Sequence, residues 1–228
     1  MTLLSPVITI DGPSGAGKGT VSRLVAEKLG WHLLDSGALY RLVGVKATRD
    51  DISFDDESSL AKIAFSLNVV FKSCDNNDPI VLLDDNDVSL DIRTEPASYA
   101  ASQVSRHPQV REALFERQRA FCQFPGLVAD GRDMGTVVFT DAPLKVYLTA
   151  TAEERAKRRH KQLKQKGLDG NLADLLREIE LRDQRDFSRE VAPLKPAEDA
   201  ILIDSTTMSI SQVVEKVIKM AKKAGMAS

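Results

Sequence analysis

The sequence is poor in the residues that build metal centres, disulfide frameworks and covalent nucleophiles. It has two cysteines and three histidines in 228 residues. Cys74 and Cys122 stand far apart, without metal-ligand spacing, and are expected to be reduced thiols of a cytoplasmic protein. His32, His107 and His160 have no partners at ligand spacing, and no Ser-His-Asp or Cys-His arrangement stands out. An excess of one charge is also missing: 31 Lys and Arg against 33 Asp and Glu give a net charge of −2. That leaves no basic footprint for nucleic acid, so any cationic site must be local and offset elsewhere. No apolar run approaches the roughly 20 residues of a membrane span. Met1–Ser5 is expected to lead straight into the first strand without a secretory leader, and there is no internal repeat or low-complexity tract. With 43% apolar and 28% charged residues, the chain suits one α/β domain with a substantial core, expected as a monomer.

What the sequence does have is a loop. Pro6–Thr20 reads PVITIDGPSGAGKGT. Val7–Ile10 is a β-branched run suited to a buried strand, and Val21, Leu24, Val25 and Leu29 recur at helical spacing afterwards. Strand, glycine loop and helix in that order make a phosphate-binding loop. Its glycines let successive N–H groups turn inward, and the helix start adds its positive dipole end. Gly12, Pro13, Ser14, Gly15, Ala16, Gly17, Lys18, Gly19 and Thr20 would hold a nucleoside triphosphate. Lys18 would reach the outer phosphates and the Thr20 hydroxyl would serve Mg²⁺. The residue after the lysine is Gly19, which leaves room above the phosphates for an acceptor; this G-x-x-G-x-G-K-G-T form resembles the loop of nucleoside monophosphate kinases.

Along the chain, Trp31–Asp35 reads as a second strand, and Ser36 opens a helix to about Asp50 that carries Arg41. Ser53 and Asp56 suggest a capping box for a helix through about Leu67. Asn68–Ser73, Pro79–Leu83 and Val88–Leu90 read as three short strands of an antiparallel insertion, the first two separated by the polar tract Cys74–Asp78. Helices follow over Thr94–Arg106 and from Pro108 to about Phe124. Leu127–Asp130, Leu144–Thr149 and Ala200–Asp204 are further core strands. Thr151 with Glu154 caps a basic helix to about Lys166, Leu172–Arg189 is another helix, and Ser209 with Gln212 caps a last one that stops at Gly225. Five apolar strands alternating with helices predict a parallel sheet with helices on both faces and a ligand site at the strands' carboxyl ends.

Asp130 closes a buried strand, where a P-loop enzyme puts an acid near Mg²⁺, directly or through water. Arg132 is set to fork onto a phosphate, and Asp133 can accept from an exocyclic amine such as the N4 of cytosine. On Leu172–Arg189, the apolar line Leu172, Leu175, Leu176, Ile179 continues at helical steps into Arg182, Asp186 and Arg189, so these charges are expected to face the site. Asp183 and Arg185 read as surface pairs of little worth. The basic run Arg155–Lys166 is either a solvated face or a lid whose arginines close on ATP.

The segments GPSGAGKGT, LLDSGALYR, DIRTEPASYAASQVS, VREAL, ADGRDMGTVVF, RDQRDFSR and DSTTMSI resemble those of the bacterial cytidylate (CMP) kinases over nearly the whole chain. The resemblance implies a P-loop fold with a core over about 1–35, 104–150 and 190–228, a monophosphate-binding insertion over about 36–103 and a lid over about 151–189. It implies ATP and Mg²⁺, with CMP and dCMP as acceptors. Arg41, Arg132 and Arg189, together with Lys18, would handle the acceptor phosphate and the phosphoryl group in transit. Ser102, Arg111 and Asp133 would read cytosine, Arg182 and Asp186 the sugar hydroxyls, and Ser36 would help order the acceptor. The alternatives are a kinase for UMP or AMP, or a nucleotide-dependent switch.

Overall fold

The structure is a computed structural model describing residues 5–74, 77–165, 167 and 169–226. In chain order the elements are β1 (Val7–Asp11), α1 (Lys18–Leu29), β2 (His32–Asp35), α2 (Ser36–Arg49), α3 (Glu57–Phe65), β3 (Val69–Cys74), β4 (Asn77–Leu83), β5 (Asn86–Asp87), α4 (Glu95–Val104), α5 (Pro108–Arg119), β6 (Leu127–Gly131), β7 (Leu144–Thr149), α6 (Ala152–Gln165), α7 (Leu172–Phe187), β8 (Ile201–Asp204) and α8 (Ile210–Lys223). Two compact units emerge, one from the chain up to Asp35 and from Gln118 onward, the other from Ser36–Arg117.

The first unit holds a five-stranded parallel sheet in the order β2-β6-β1-β7-β8. β1 is central: Ile10 lies opposite Asp130 on one side and Val146 on the other. Every residue of β1 and of β6 is buried, as expected of apolar parallel strands covered on both faces. On one face α1 and α8 seal the sheet, with Val21, Val25, Val213, Val217 and Ala221 packed over Ile8, Val128 and Leu148. On the other, Gly135 lies against the Thr9 and Lys145 side chains, in the turn of π-helix Met134–Val138 that follows β6. The Ser209–Gln212 capping box at the start of α8 has both of its hydrogen bonds. Among the described residues no helix is long and apolar enough to cross a membrane.

The second unit packs α2 with α4 and carries the antiparallel sheet β3-β4-β5. Its third strand is Asn86–Asp87 rather than Val88–Leu90. Val88 is fully buried and its N–H donates to Val81 O, but the ladder stops there: the return N–H of Val81 goes to the Ser89 hydroxyl, not to a backbone carbonyl. The cap of α3 is Asp56, which accepts from Ser59 N, not Ser53. Ser53 is consumed one turn earlier, where its hydroxyl accepts from Asp55 N and its carbonyl from Asp56 N. α5 ends at Arg119, before the expected Phe124, and α7 at Phe187, before Arg189. Of the expected features, Met1–Leu4, Asp75 and Asn76 of the polar tract, and Lys166 of the basic run lie outside the described residues.

Candidate active site

Gly12–Gly17 lead from β1 into α1, which opens at Lys18. Gly12 is required by contact as well as conformation: at φ 148 a Cβ would fall 2.0 Å from the carbonyl oxygen of Leu148 on β7. Lys18 is buried and its Nζ donates to Pro13 O at 2.9 Å, so the lysine bends back over its own loop. Burial, then the nearby Arg132 and Arg182, push its pKa down to about 7, against the pull of Asp130 and Asp11. Gly19 and Thr20 are exposed beyond the lysine, and the Asp130 carboxylate at the end of β6 stands 3.4 Å from where a Cβ of Gly19 would lie.

Asp11, the last residue of β1, was not foreseen. Its two carboxylate oxygens accept from Met134 N at 2.9 Å and Gly135 N at 2.8 Å. Burial pushes its pKa up to about 7, with Asp133 adding to the rise and the two N–H groups and Lys18 opposing it. The bond pair ties the strand beneath the glycine loop to the segment that carries Arg132 and Asp133. Asp133 itself is buried, and its carbonyl accepts from Val137 N and Val138 N.

The charged line on α7 turns inward as its spacing predicts. Leu175, Ile179 and Asp186 are its buried residues, whereas Leu172 at the start is exposed. Asp186 accepts from Arg132 Nε at 3.0 Å and from an Nη of Arg189, just past the helix end. Burial alone would raise the carboxyl's pKa, but Arg132, Arg189 and Arg182 outweigh it and hold it at about 2. Arg132, Arg182, Asp186 and Arg189 therefore form one cluster.

Asp183 corrects the expectation of a surface pair. It is largely buried against Arg155 of α6, which grips both carboxylate oxygens. Arg155 and Arg158 also donate to carbonyls of the glycine loop, so this part of the basic run is no solvated face. Lys157, Lys161 and Lys164 on the same helix are exposed. Arg185 is the surface residue that its position suggested, bonded to Leu181 O within its own helix.

In the second unit, Ser36 is the buried first residue of α2, and Arg41 follows in the same helix. Arg111 on α5 donates to Ser105 O at 3.3 Å and lies 5.8 Å from the ring centre of Tyr40, an aromatic that sequence reasoning passed over. Ser102 on α4 is half-buried, and its carbonyl accepts from the Ser105 hydroxyl. Ser102, Ser105, Arg111 and Tyr40 are thus linked by contacts within this unit.

A parallel sheet in this order, with a glycine loop after the central strand and a lysine opening the next helix, defines a P-loop nucleotide-binding protein. Comparison with known proteins narrows the class. The model of the cytidylate kinase family matches residues 8–223. The cytidylate kinase of Aeromonas salmonicida is 56% identical over 98% of this chain and 96% of its own length. That of Colwellia psychrerythraea is 56% identical over 95% of this chain and 96% of its own. A shikimate kinase structure from Acinetobacter baumannii, in complex with shikimate, aligns over 97% of this chain and 95% of its own at 18% identity and a TM-score of 0.42. The chain belongs to the cytidylate kinase family.

Proposed function

We propose that this protein transfers the γ-phosphoryl group of ATP to CMP, and likewise to dCMP, giving ADP with CDP or dCDP. In a chain of this family, the observation that carries the reading is charge gathered beside the glycine loop. Arg132 and Arg189 share Asp186, and Arg132 and Arg182 lie near enough to Lys18 to lower its pKa. Such positive charge serves a phosphoryl group in transit, because phosphoryl transfer depends on positioning and charge neutralisation rather than covalent chemistry.

In this reading Gly12–Thr20 bind ATP, and Lys18, Arg41, Arg132 and Arg189 neutralise the acceptor phosphate and the moving group. An oxygen of the CMP phosphate attacks the γ-phosphorus; as that P–O bond forms, the bond to the β–γ bridging oxygen breaks and ADP leaves with its electron pair. The attacking oxygen is already ionised, so no strong general base is needed. Ser102, Arg111 and Asp133 read cytosine, Arg182 and Asp186 hold the sugar hydroxyls, and Ser36 orders the acceptor. Uracil would set its O4 against the Asp133 carboxylate and leave polar groups unpaired.

Magnesium takes hard oxygen ligands, keeps several waters, and is usually held by one or two protein oxygens besides substrate phosphates. The Thr20 hydroxyl and the Asp130 carboxylate, which stands against Gly19, fit that donor set and would hold the ion directly or through water. When bound, the ion neutralises charge on the phosphates. The protein is read as a cytoplasmic monomer with small-molecule nucleotides, and neither nucleic acid nor membrane, as its partners.

ADP production from Mg·ATP, with CMP, dCMP, UMP and AMP supplied separately, tests the reading. Turnover with CMP and dCMP supports it. Comparable turnover with UMP refutes the role given to Asp133, and no turnover with any of the four refutes the kinase.

A further inference from the structure

A glycine loop can gather an anion only if its N–H groups point inward. That turns intervening carbonyls outward, where each needs a donor of its own. Two arginines of α6 supply them. Arg155 donates through Nη1 to Ser14 O at 2.9 Å, and Arg158 reaches Ala16 O at 3.5 Å and both the hydroxyl and the carbonyl of Ser205. Arg155 is itself held on every side. Its Nε donates to Ala150 O at 3.0 Å, and its two terminal nitrogens fork onto the carboxylate of Asp183. The pair is dry, with side chains 5% and 15% exposed, so it lies outside the class of weak surface ion pairs. The helix packs directly on the loop: at Gly15, with φ 77, a Cβ would lie 3.2 Å from the Arg155 Cβ.

We propose that Asp183 is a positioning residue for the ATP-binding loop, acting through Arg155 to fix the Ser14 peptide with its carbonyl outward. The proposal rests on the kinase reading for what the loop binds, not for the contact itself. It divides α7 between the two substrates. Asp186 orients Arg132 and Arg189 for the acceptor, while Asp183, less than a turn earlier, sets the donor loop. Without the Asp183 charge, the Arg155 guanidinium is left buried with only carbonyls to satisfy it, and the peptide it anchors loses its fixed orientation.

The test uses the full chain with Asp183→Asn and, separately, Arg155→Lys, a variant that keeps the charge and most of the stem but not the fork. Dissociation of a fluorescent ATP analogue is measured without acceptor, and KM for CMP at saturating ATP. In each variant the analogue's Kd is expected to rise about ten-fold, while KM for CMP stays as in the parent. The double variant should bind no more weakly than the worse single one, because both break one linkage. Asp186→Asn, run alongside, should do the reverse: a raised KM for CMP and an unchanged analogue Kd. Unchanged analogue affinity in a folded variant, an equal rise in KM for CMP, or fully additive losses would overturn the proposal. If Asp183→Asn does not fold, Arg155→Lys decides. If the parent binds the analogue but phosphorylates no monophosphate, the kinase reading fails, and the affinity series still decides the role of Asp183.

Discussion

Replacing Asp186 by Asn tests the electrostatics most severely. The carboxylate is 1% exposed and holds Arg132 and Arg189, with Arg182 adding a third positive field. Its pKa falls from 3.8 to about 2 despite burial, because the arginines outweigh desolvation. At about 1.4 kcal/mol per unit, that shift is worth roughly 2 kcal/mol of stability near neutral pH. The sign follows from the depressed value: the contribution is full well above the unfolded carboxyl's pKa and drains away as pH falls through the folded one. Deleting one partner of a buried pair costs about 3–5 kcal/mol when the other is left stranded. Here the Arg132 and Arg189 side chains keep 20% and 11% of their exposure, so water takes up part of that cost. Asp186→Asn should therefore lower the free energy of unfolding by about 2–3 kcal/mol at pH 7, and by about 1 kcal/mol less at pH 3. Urea unfolding of both proteins at the two pH values measures this. A loss below about 0.5 kcal/mol at pH 7, the ordinary range of surface changes, or a gap that does not narrow on acidification, would refute the reasoning.

Arg189→Ala should cut turnover far more than it weakens ATP binding; steady-state kinetics beside nucleotide titration would show otherwise if both fell together. Gly12→Ala forces a Cβ to 2.0 Å from a backbone oxygen; a loss of about 1–3 kcal/mol or more is expected, with weakened ATP binding, read by thermal unfolding and analogue titration. Ser209→Ala removes the bond from Gln212 N to the Ser209 hydroxyl, leaving only the backbone half of the α8 capping box, and should cost about 1 kcal/mol, or roughly 2–4 °C in Tm, with unchanged kinetics.

What could be read from the sequence was what lies close along it. β1, the glycine loop and α1 are contiguous, so composition and order sufficed. Arg182, Asp186 and Arg189 were legible because helical periodicity is a geometric rule that carries an apolar line into a charged one. The same rule said nothing of Asp183, whose partner Arg155 sits 28 residues away on another helix. Asp11 was beyond reach for the same reason: the N–H groups that it accepts from lie 123 and 124 residues on. Its place immediately before Gly12 was a signal only in hindsight. The misplaced third strand and the α3 cap have a local cause. At Val88 the one backbone bond to Val81 O is not returned, because the Ser89 hydroxyl takes the Val81 N–H, and at Ser53 a hydroxyl had two nearby backbone uses to choose between.

The hold of Asp186 on Arg132 and Arg189 has a consequence for what else the protein will take up. Arg132 and Arg189, proposed above to meet the acceptor phosphate, carry a resident counter-ion supplied by their own chain. A chloride or an isolated inorganic phosphate offers charge alone, for guanidinium groups already neutralised in part and already oriented. A nucleotide brings base and sugar contacts as well, and so has the surplus to share those arginines with Asp186. On the proposed roles the cluster would discount small anions in favour of the larger ligand, and salt should compete with the acceptor less than the number of arginines would suggest.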